Sequence, residues 1–118
     1  MGVKKQPGTF KQKPTYLREE IRNLIRNGKI LSPGLKVIES GNSLGFSIEE
    51  MYEEVLGLEM NDFHKSDPDI YNHKVWQDAY KKKIKGKRIY IKFKIFKGKF
   101  LLTSFKPDTS DIDNPWRI

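Results

Sequence analysis

Cysteine is absent from this 118-residue chain, which excludes disulfides and thiolate metal sites and suits a reducing cytoplasm. Histidine is scarce: with only His64 and His73, a protein-held zinc site is not expected. No apolar run approaches the roughly 20 residues of a membrane span. The opening MGVKKQPGTFKQKP carries charges with no apolar segment behind them, so a secretory signal is not expected either. Hydrophobic residues at 36% and charged residues at 32% fit one small globular domain with a wet surface. The length leaves no room for a second core.

What the chain has in excess is positive charge, net +8, and it is unevenly spread. Residues 1–14 hold four lysines and no acid, whereas residues 15–63 hold five bases against nine acids. Residues 64–106 hold thirteen bases against three acids, and residues 107–118 one base against three. The cationic charge thus sits on one structural unit, as a phosphate-binding surface requires. A generically basic protein is the rival reading.

The first 14 residues, with Pro7, Gly8 and Pro14, read as a mobile basic segment. Thr15 is a candidate N-cap, followed by Leu17, Ile21, Leu24 and Ile25 at helical spacing until Asn27-Gly28. Pro33-Gly34 and Gly41-Asn42 bracket a short apolar piece, Leu35 to Ile38, compatible with a helical turn or a strand. Ser47 and Glu50 have capping-box spacing, with Phe46 and Met51 placed as a hydrophobic staple. Ile48, Met51, Val55 and Leu58 then face the core, and Gly57 is the stop. Asp67-Pro68-Asp69 reads as a turn.

Residues 76–106, WQDAYKKKIKGKRIYIKFKIFKGKFLLTSFK, read as three strands. Residues two apart share a face of a strand, so Ile89, Ile91, Phe93 and Ile95 point one way while Arg88, Tyr90, Lys92 and Lys94 point the other. Helices first and strands last predict an α+β domain with N-terminal helices on one face of a C-terminal antiparallel sheet. The domain is expected over residues 15–106, with residues 107–118 an acidic tail.

The turns set a register. A two-residue hairpin at Lys85-Gly86 pairs Ile84 with Lys87, and so Lys81 with Tyr90, Ala79 with Lys92 and Gln77 with Lys94. Trp76 and Tyr80 then face inward. A three-residue loop at Lys97-Gly98-Lys99 pairs Phe96 with Phe100, and so Tyr90 with Lys106 and Lys92 with Ser104. A two-residue loop there slips the register and sends Lys106 into the core, which disfavours it. Gln77, Tyr90, Lys92, Ser104 and Lys106 therefore gather on one wet surface, and the partner this predicts is a nucleic acid.

With these residues in view, the chain resembles the MqsR (motility quorum-sensing regulator) toxins of type II toxin–antitoxin systems. The pieces that carry the resemblance are Asp62-Phe63-His64-Lys65-Ser66, Trp76-Gln77-Asp78-Ala79-Tyr80, Tyr90-Ile91-Lys92 and Ser104-Phe105-Lys106. The resemblance runs weakly back to about Thr15. It implies a RelE-like microbial RNase fold and a cytoplasmic, cofactor-free mRNA interferase that cleaves single-stranded messenger RNA without a metal. It also implies an antitoxin partner, MqsA-like, zinc-binding and DNA-binding, through which alone DNA is reached. The family's proposed catalytic residues fall on Lys65, Gln77, Tyr90 and Lys106. His64 stands where a tyrosine is found in a family member.

Cleavage without a metal needs a base for the 2′-hydroxyl, positive charge on the phosphorane-like transition state and an acid for the 5′-oxygen. Either Lys106 or Tyr90 is the base and the other the acid. Lys65 and Lys92 stabilise the phosphate charge, and Gln77 orients ribose or phosphate. Lys92, Lys94, Arg88, Lys81 and His64 are the expected RNA-binding residues, and the run Lys81-Lys82-Lys83 is expected to touch backbone phosphate. Two readings compete with this one: a non-catalytic RNA-binding module using the same face, and a transcription-factor partner acting mainly through a complex. In the tail, Asp108, Asp111 and Asp113 are placed to fold over the basic face and compete with RNA, with Trp116 as anchor.

Overall fold

A computed structural model describes residues 10–109, which form three α-helices followed by most of a five-stranded sheet. The helices are α1 (Arg18–Arg26), α2 (Leu35–Ser43) and α3 (Ile48–Leu56), with strand β1 (Ile30–Leu31) between the first two. A 3₁₀ turn at Met60–Asp62 leads into β2 (Phe63–Pro68), β3 (Trp76–Ile84), β4 (Lys87–Phe96) and β5 (Lys99–Pro107). The α+β expectation holds. The sheet order is β1-β5-β4-β3-β2. It is antiparallel except that β1 runs parallel to β5, pairing Ile30 with Phe100.

The helices cover one face of the sheet. Ile21 and Ile25 of α1, Met51 and Val55 of α3, and Leu58 are buried against Ile89, Ile91 and Phe93 of β4 and Phe100, Leu102 and Phe105 of β5. Each such side chain contributes about 1.5–3 kcal/mol by leaving water. The capping box forms: Glu50 N–H donates to Ser47 Oγ at 3.1 Å, and Ser47 N–H donates to Glu50 Oε1 at 2.8 Å. Phe46 and Met51 are both buried, as a staple requires.

Several local expectations are corrected. Helix α1 begins at Arg18, with Leu17 rather than Thr15 at its N-cap. Leu17 is 74% exposed, outside the core. Thr15 instead shares a 2.7 Å hydroxyl–hydroxyl hydrogen bond with Ser66 of β2. The stretch from Leu35 is a nine-residue helix, and Gly41, taken as a boundary, lies inside it. A Cβ on Gly41 would stand 2.2 Å from Met51 Sδ, so the glycine is there to let α2 and α3 approach. The run Asp67-Pro68-Asp69 is no turn: its first two residues end strand β2.

Residues 10–14 lie beside the sheet, with Lys11 N–H donating to Ser66 O and Ser66 N–H to Lys11 O. The expectation of a mobile N-terminus otherwise falls on residues 1–9, outside the described residues.

The first hairpin has the expected register, including Ile84–Lys87, Lys81–Tyr90 and Ala79–Lys92. The second departs from expectation and still reaches the expected end. Its loop has two residues, because Phe96 pairs with Lys99. Both hairpins turn on a Lys-Gly pair with positive φ, at Lys85-Gly86 (53° and 81°) and Lys97-Gly98 (52° and 75°), as the tight I′ turn demands. The one-residue slip is then cancelled by a bulge: Phe93 pairs with Leu102, whereas Lys92 pairs with Ser104. Thr103 is the extra residue. Tyr90 therefore stands beside Lys106 and Lys92 beside Ser104.

Candidate nucleic-acid interface

The face of the sheet away from the helices carries two adjacent cross-strand rows. Lys65, Ala79, Lys92 and Ser104 make one row, and Lys81, Tyr90 and Lys106 make the next. Strand alternation places them: in β4 the neighbours Ile89, Ile91 and Phe93 are buried and the residues between them are not. Tyr90, Lys92, Ser104, Lys106 and Asp108 line a shallow depression of about 270 Å³. Lys106 Nζ lies 5.5 Å from the centroid of the Tyr90 ring, within cation–π range. On the ring's other flank His64 meets it edge-on, with centroids 6.4 Å apart.

Acids interleave with these cations; sequence reasoning set Asp108 against the basic face but missed Asp67 and Asp69. Asp67 spans Lys65 Nζ and Lys92 Nζ, at 3.2 Å from each, the latter an ion pair without hydrogen-bond alignment. Asp69 accepts from Lys94 Nζ. Asp108 pairs with Lys81 Nζ at 3.6 Å and with an Arg88 guanidinium nitrogen at 3.3 Å. The face is a mosaic with a cationic surplus rather than a stack of like charges. Asp67 was findable: it stands two residues from Lys65 and so shares its face wherever that segment is a strand.

The predicted residues divide into two groups. Lys65, Lys92, Tyr90, Lys106 and His64 surround the depression or its edge. Gln77 lies on the same face but four residues along β3 from Lys81, about 13 Å away at strand spacing. Its amide donates to Asp69 Oδ2 at 3.0 Å and its carbonyl oxygen accepts from the Thr103 hydroxyl. With Lys94 on the same carboxylate, these side chains form a linked polar network fed by the β5 bulge. Lys82, taken with Lys81 and Lys83 as a phosphate contact, instead points to the helices and donates to Gly57 O at the end of α3, 3.4 Å away. Trp76 is only half-buried, with Lys11 Nζ 4.2 Å above its ring, whereas Tyr80 is fully buried as expected.

The electrostatics of three groups are displaced. Burial, with the nearby carboxylates of Asp67 and Asp108, pushes the Tyr90 phenol up to about 12. Burial and the cations Lys81 and Lys65 lower His64 below the usual 6.5, against smaller opposite pulls from Asp108 and Asp67. Burial alone would raise Asp69, but the Lys94 hydrogen bond and the Tyr71 amide outweigh it and hold the carboxyl below its ordinary range.

Residues 13–107 match the model of a family described as motility quorum-sensing regulator, toxin of MqsA. The chain belongs to this MqsR toxin family. It is similar to the mRNA interferase toxin MqsR of Escherichia coli (strain K12), at 25% identity over 96 residues, 81% of this chain and 96% of the relative. The span matched to the MqsR family holds both rows of the outer face, His64 and the Gln77 network. Among the described residues no helix is long and apolar enough to cross a membrane.

The first residues past that span bear on the tail. Asp108 is nearly buried at its carboxylate, and its N–H donates to Arg88 O at 2.8 Å. Asp111, Asp113 and Trp116 lie outside the described residues. If the tail competes with RNA, Asp108→Asn raises RNA affinity by about two- to fivefold, the scale of an ion pair worth up to about 1 kcal/mol. Unchanged affinity in a filter-binding titration, for this variant and for a chain ending at Lys106, removes the idea.

Proposed function

We propose that this protein is the toxin of a toxin–antitoxin pair and acts as an mRNA interferase, an endoribonuclease with sequence preference that stops translation until its antitoxin binds. Membership of the MqsR family and the name of the E. coli relative support the class. The observation that carries the chemistry is Tyr90, set between His64 and Lys106 with Lys65 and Lys92 in the adjoining row.

A scissile phosphate over Tyr90 meets ammonium groups from three strands. Lys65, Lys92 and Lys106 offset the charge that grows on the equatorial oxygens, an effect often worth a few kcal/mol per donor. A phenol whose proton is held to about pH 12 is a donor at neutral pH, so Tyr90 protonates the departing 5′-oxygen. Gln77 acts from a distance, tying Asp69 and Thr103 together and fixing the bulge that presents Ser104. The substrate is single-stranded RNA, whose unpaired backbone can lie along a flat cationic sheet. The antitoxin is MqsA-like and covers or distorts this face, and the setting is the cytoplasm.

Incubating the protein with a single-stranded transcript in excess EDTA tests the reading. The expected products end in 2′,3′-cyclic phosphate and 5′-hydroxyl, at an undiminished rate. A shifted band without cleavage, with or without magnesium, overturns the nuclease in favour of the non-catalytic RNA-binding module.

A further inference from the structure

We propose that His64 is the general base of this site, taking the proton from the attacking 2′-hydroxyl. The proposal rests on the ribonuclease reading and adds to it the group that begins the reaction.

The placement is specific. Phe63 pairs with Tyr80 and Lys65 with Ala79, so His64 is the unpaired extra residue of a bulge in β2. A bulge re-aims a side chain that regular alternation would send elsewhere. Here the imidazole reaches over β3, where the outward residue is the short Ala79, and meets the edge of Tyr90 on β4. Base and acid must lie on opposite sides of the phosphorus for an in-line displacement. A histidine from β2 and a phenol from β4, separated by β3 with its short Ala79 and with cations beside them, are placed to flank a phosphate in that way.

Elimination points the same way. The titratable groups in contact with Tyr90 or in its own and the adjoining cross-strand row are His64, Lys106, Asp67, Asp108, Lys81, Lys92 and Lys65. An ammonium has no electron pair to offer, and the phenol keeps its proton. Asp67 and Asp108 each bridge two cations, Lys65 with Lys92 and Lys81 with Arg88, so their carboxylates are engaged in those ion pairs. His64 alone combines an imidazole lone pair with surroundings that favour its neutral form. Partial burial of the otherwise exposed ring, Lys81 and Lys65 act in that direction, and Asp108 and Asp67 oppose them less strongly.

The step balances. The 2′-O–H proton passes to an imidazole nitrogen and the 2′-oxygen bonds to phosphorus. The bond from phosphorus to the 5′-oxygen breaks, and that oxygen takes the Tyr90 proton. The imidazolium and phenolate are reset by proton exchange through solvent.

The test compares wild type with His64→Gln and Lys106→Met on a single-stranded transcript from pH 5 to 9. An oligonucleotide of the same sequence with 2′-O-methyl groups, which cannot react, measures binding. For wild type, kcat/KM is expected to fall on the acid side with a midpoint below 6.5, as His64 gains its proton. H64Q loses about 10²- to 10⁴-fold in rate and loses that acid limb, yet binds the methylated oligonucleotide within about twofold of wild type. K106M keeps the acid limb. An H64Q protein that retains the rate and the limb overturns the proposal, as does one whose rate loss is matched by lost binding, which would make His64 an RNA contact only. A wild type that binds RNA without cutting it removes the ribonuclease reading as well, an outcome distinct from the others.

Discussion

Tyr90→Phe is expected to leave the fold in place and to lower RNA cleavage by about two to four orders of magnitude, the usual weight of a positioned proton donor. The substitution removes one oxygen. The ring, its edge-on contact with His64 and the ammonium of Lys106 above it are kept. Stability should therefore change by no more than about 0.5 kcal/mol, and affinity for a 2′-O-methyl oligonucleotide should stay within a few-fold. The pH dependence has a definite sign. A donor must be protonated, so its contribution is lost as pH rises through its pKa, and at about 12 Tyr90 imposes no fall in rate up to about pH 10. Single-turnover cleavage by Y90F within about threefold of wild type would show that the phenol carries no proton.

The second large effect is structural. Asp78 lies on the inward face of β3 and is fully buried, an unusual place for a carboxylate. Its two oxygens accept the N–H groups of Thr15 and Tyr16, at 3.0 and 2.9 Å. Tyr16 adds a hydroxyl hydrogen bond to Trp76 O at 2.7 Å. One acid thereby fastens the lead-in of α1 to the sheet and takes the part that a Thr15 cap was expected to play. Asp78→Ala strands two amides away from water, each at about 1–3 kcal/mol. The sum, about 2–6 kcal/mol, should lower Tm by about 10 °C or more in a domain of this size. Asp78→Asn, which keeps one acceptor oxygen, should lose clearly less. Thermal unfolding that places D78A within about 3 °C of wild type would mean that α1 is held mainly by Ile21 and Ile25.

Much of the site was legible because a strand's two-residue period and a Lys-Gly turn leave little freedom. The pairing of Lys81 with Tyr90 and of Ala79 with Lys92 needed only the turn at Lys85-Gly86. The second hairpin is more instructive. Its two-residue turn obeys the same Lys-Gly chemistry as the first, while Lys106 still reaches water. Both demands are met by inserting Thr103. The sequence carries a trace of this in the spacing of Phe100, Leu102 and Phe105, all fully buried, which steps by two and then by three. A regular strand cannot bury all three on one face.

Strand β2 was harder to see. His64 and Lys65 break alternation at a bulge, and Pro68 closes the strand, so the segment lacks a period-2 signature. With β2 unrecognised, Asp67 and Asp69 had no face, and their ion pairs with Lys65, Lys92 and Lys94 had no place in the reading. The inclusion of Gly41 in α2 had a similar cause, since only the closeness of Met51 explains a glycine inside a helix.

Taken alone, the amino-acid sequence determined the class of fold, the inward and outward faces of β3 and β4, and the concentration of cations on the strands. Those follow from periodicity and turn chemistry, which act between residues near one another in the chain. The tertiary structure alone decided where the acids sit among the lysines, which carboxylate anchors α1, and that His64 meets Tyr90 across an intervening strand. Contacts of that kind depend on bulges and on side chains far apart in the chain, and no local pattern encodes them.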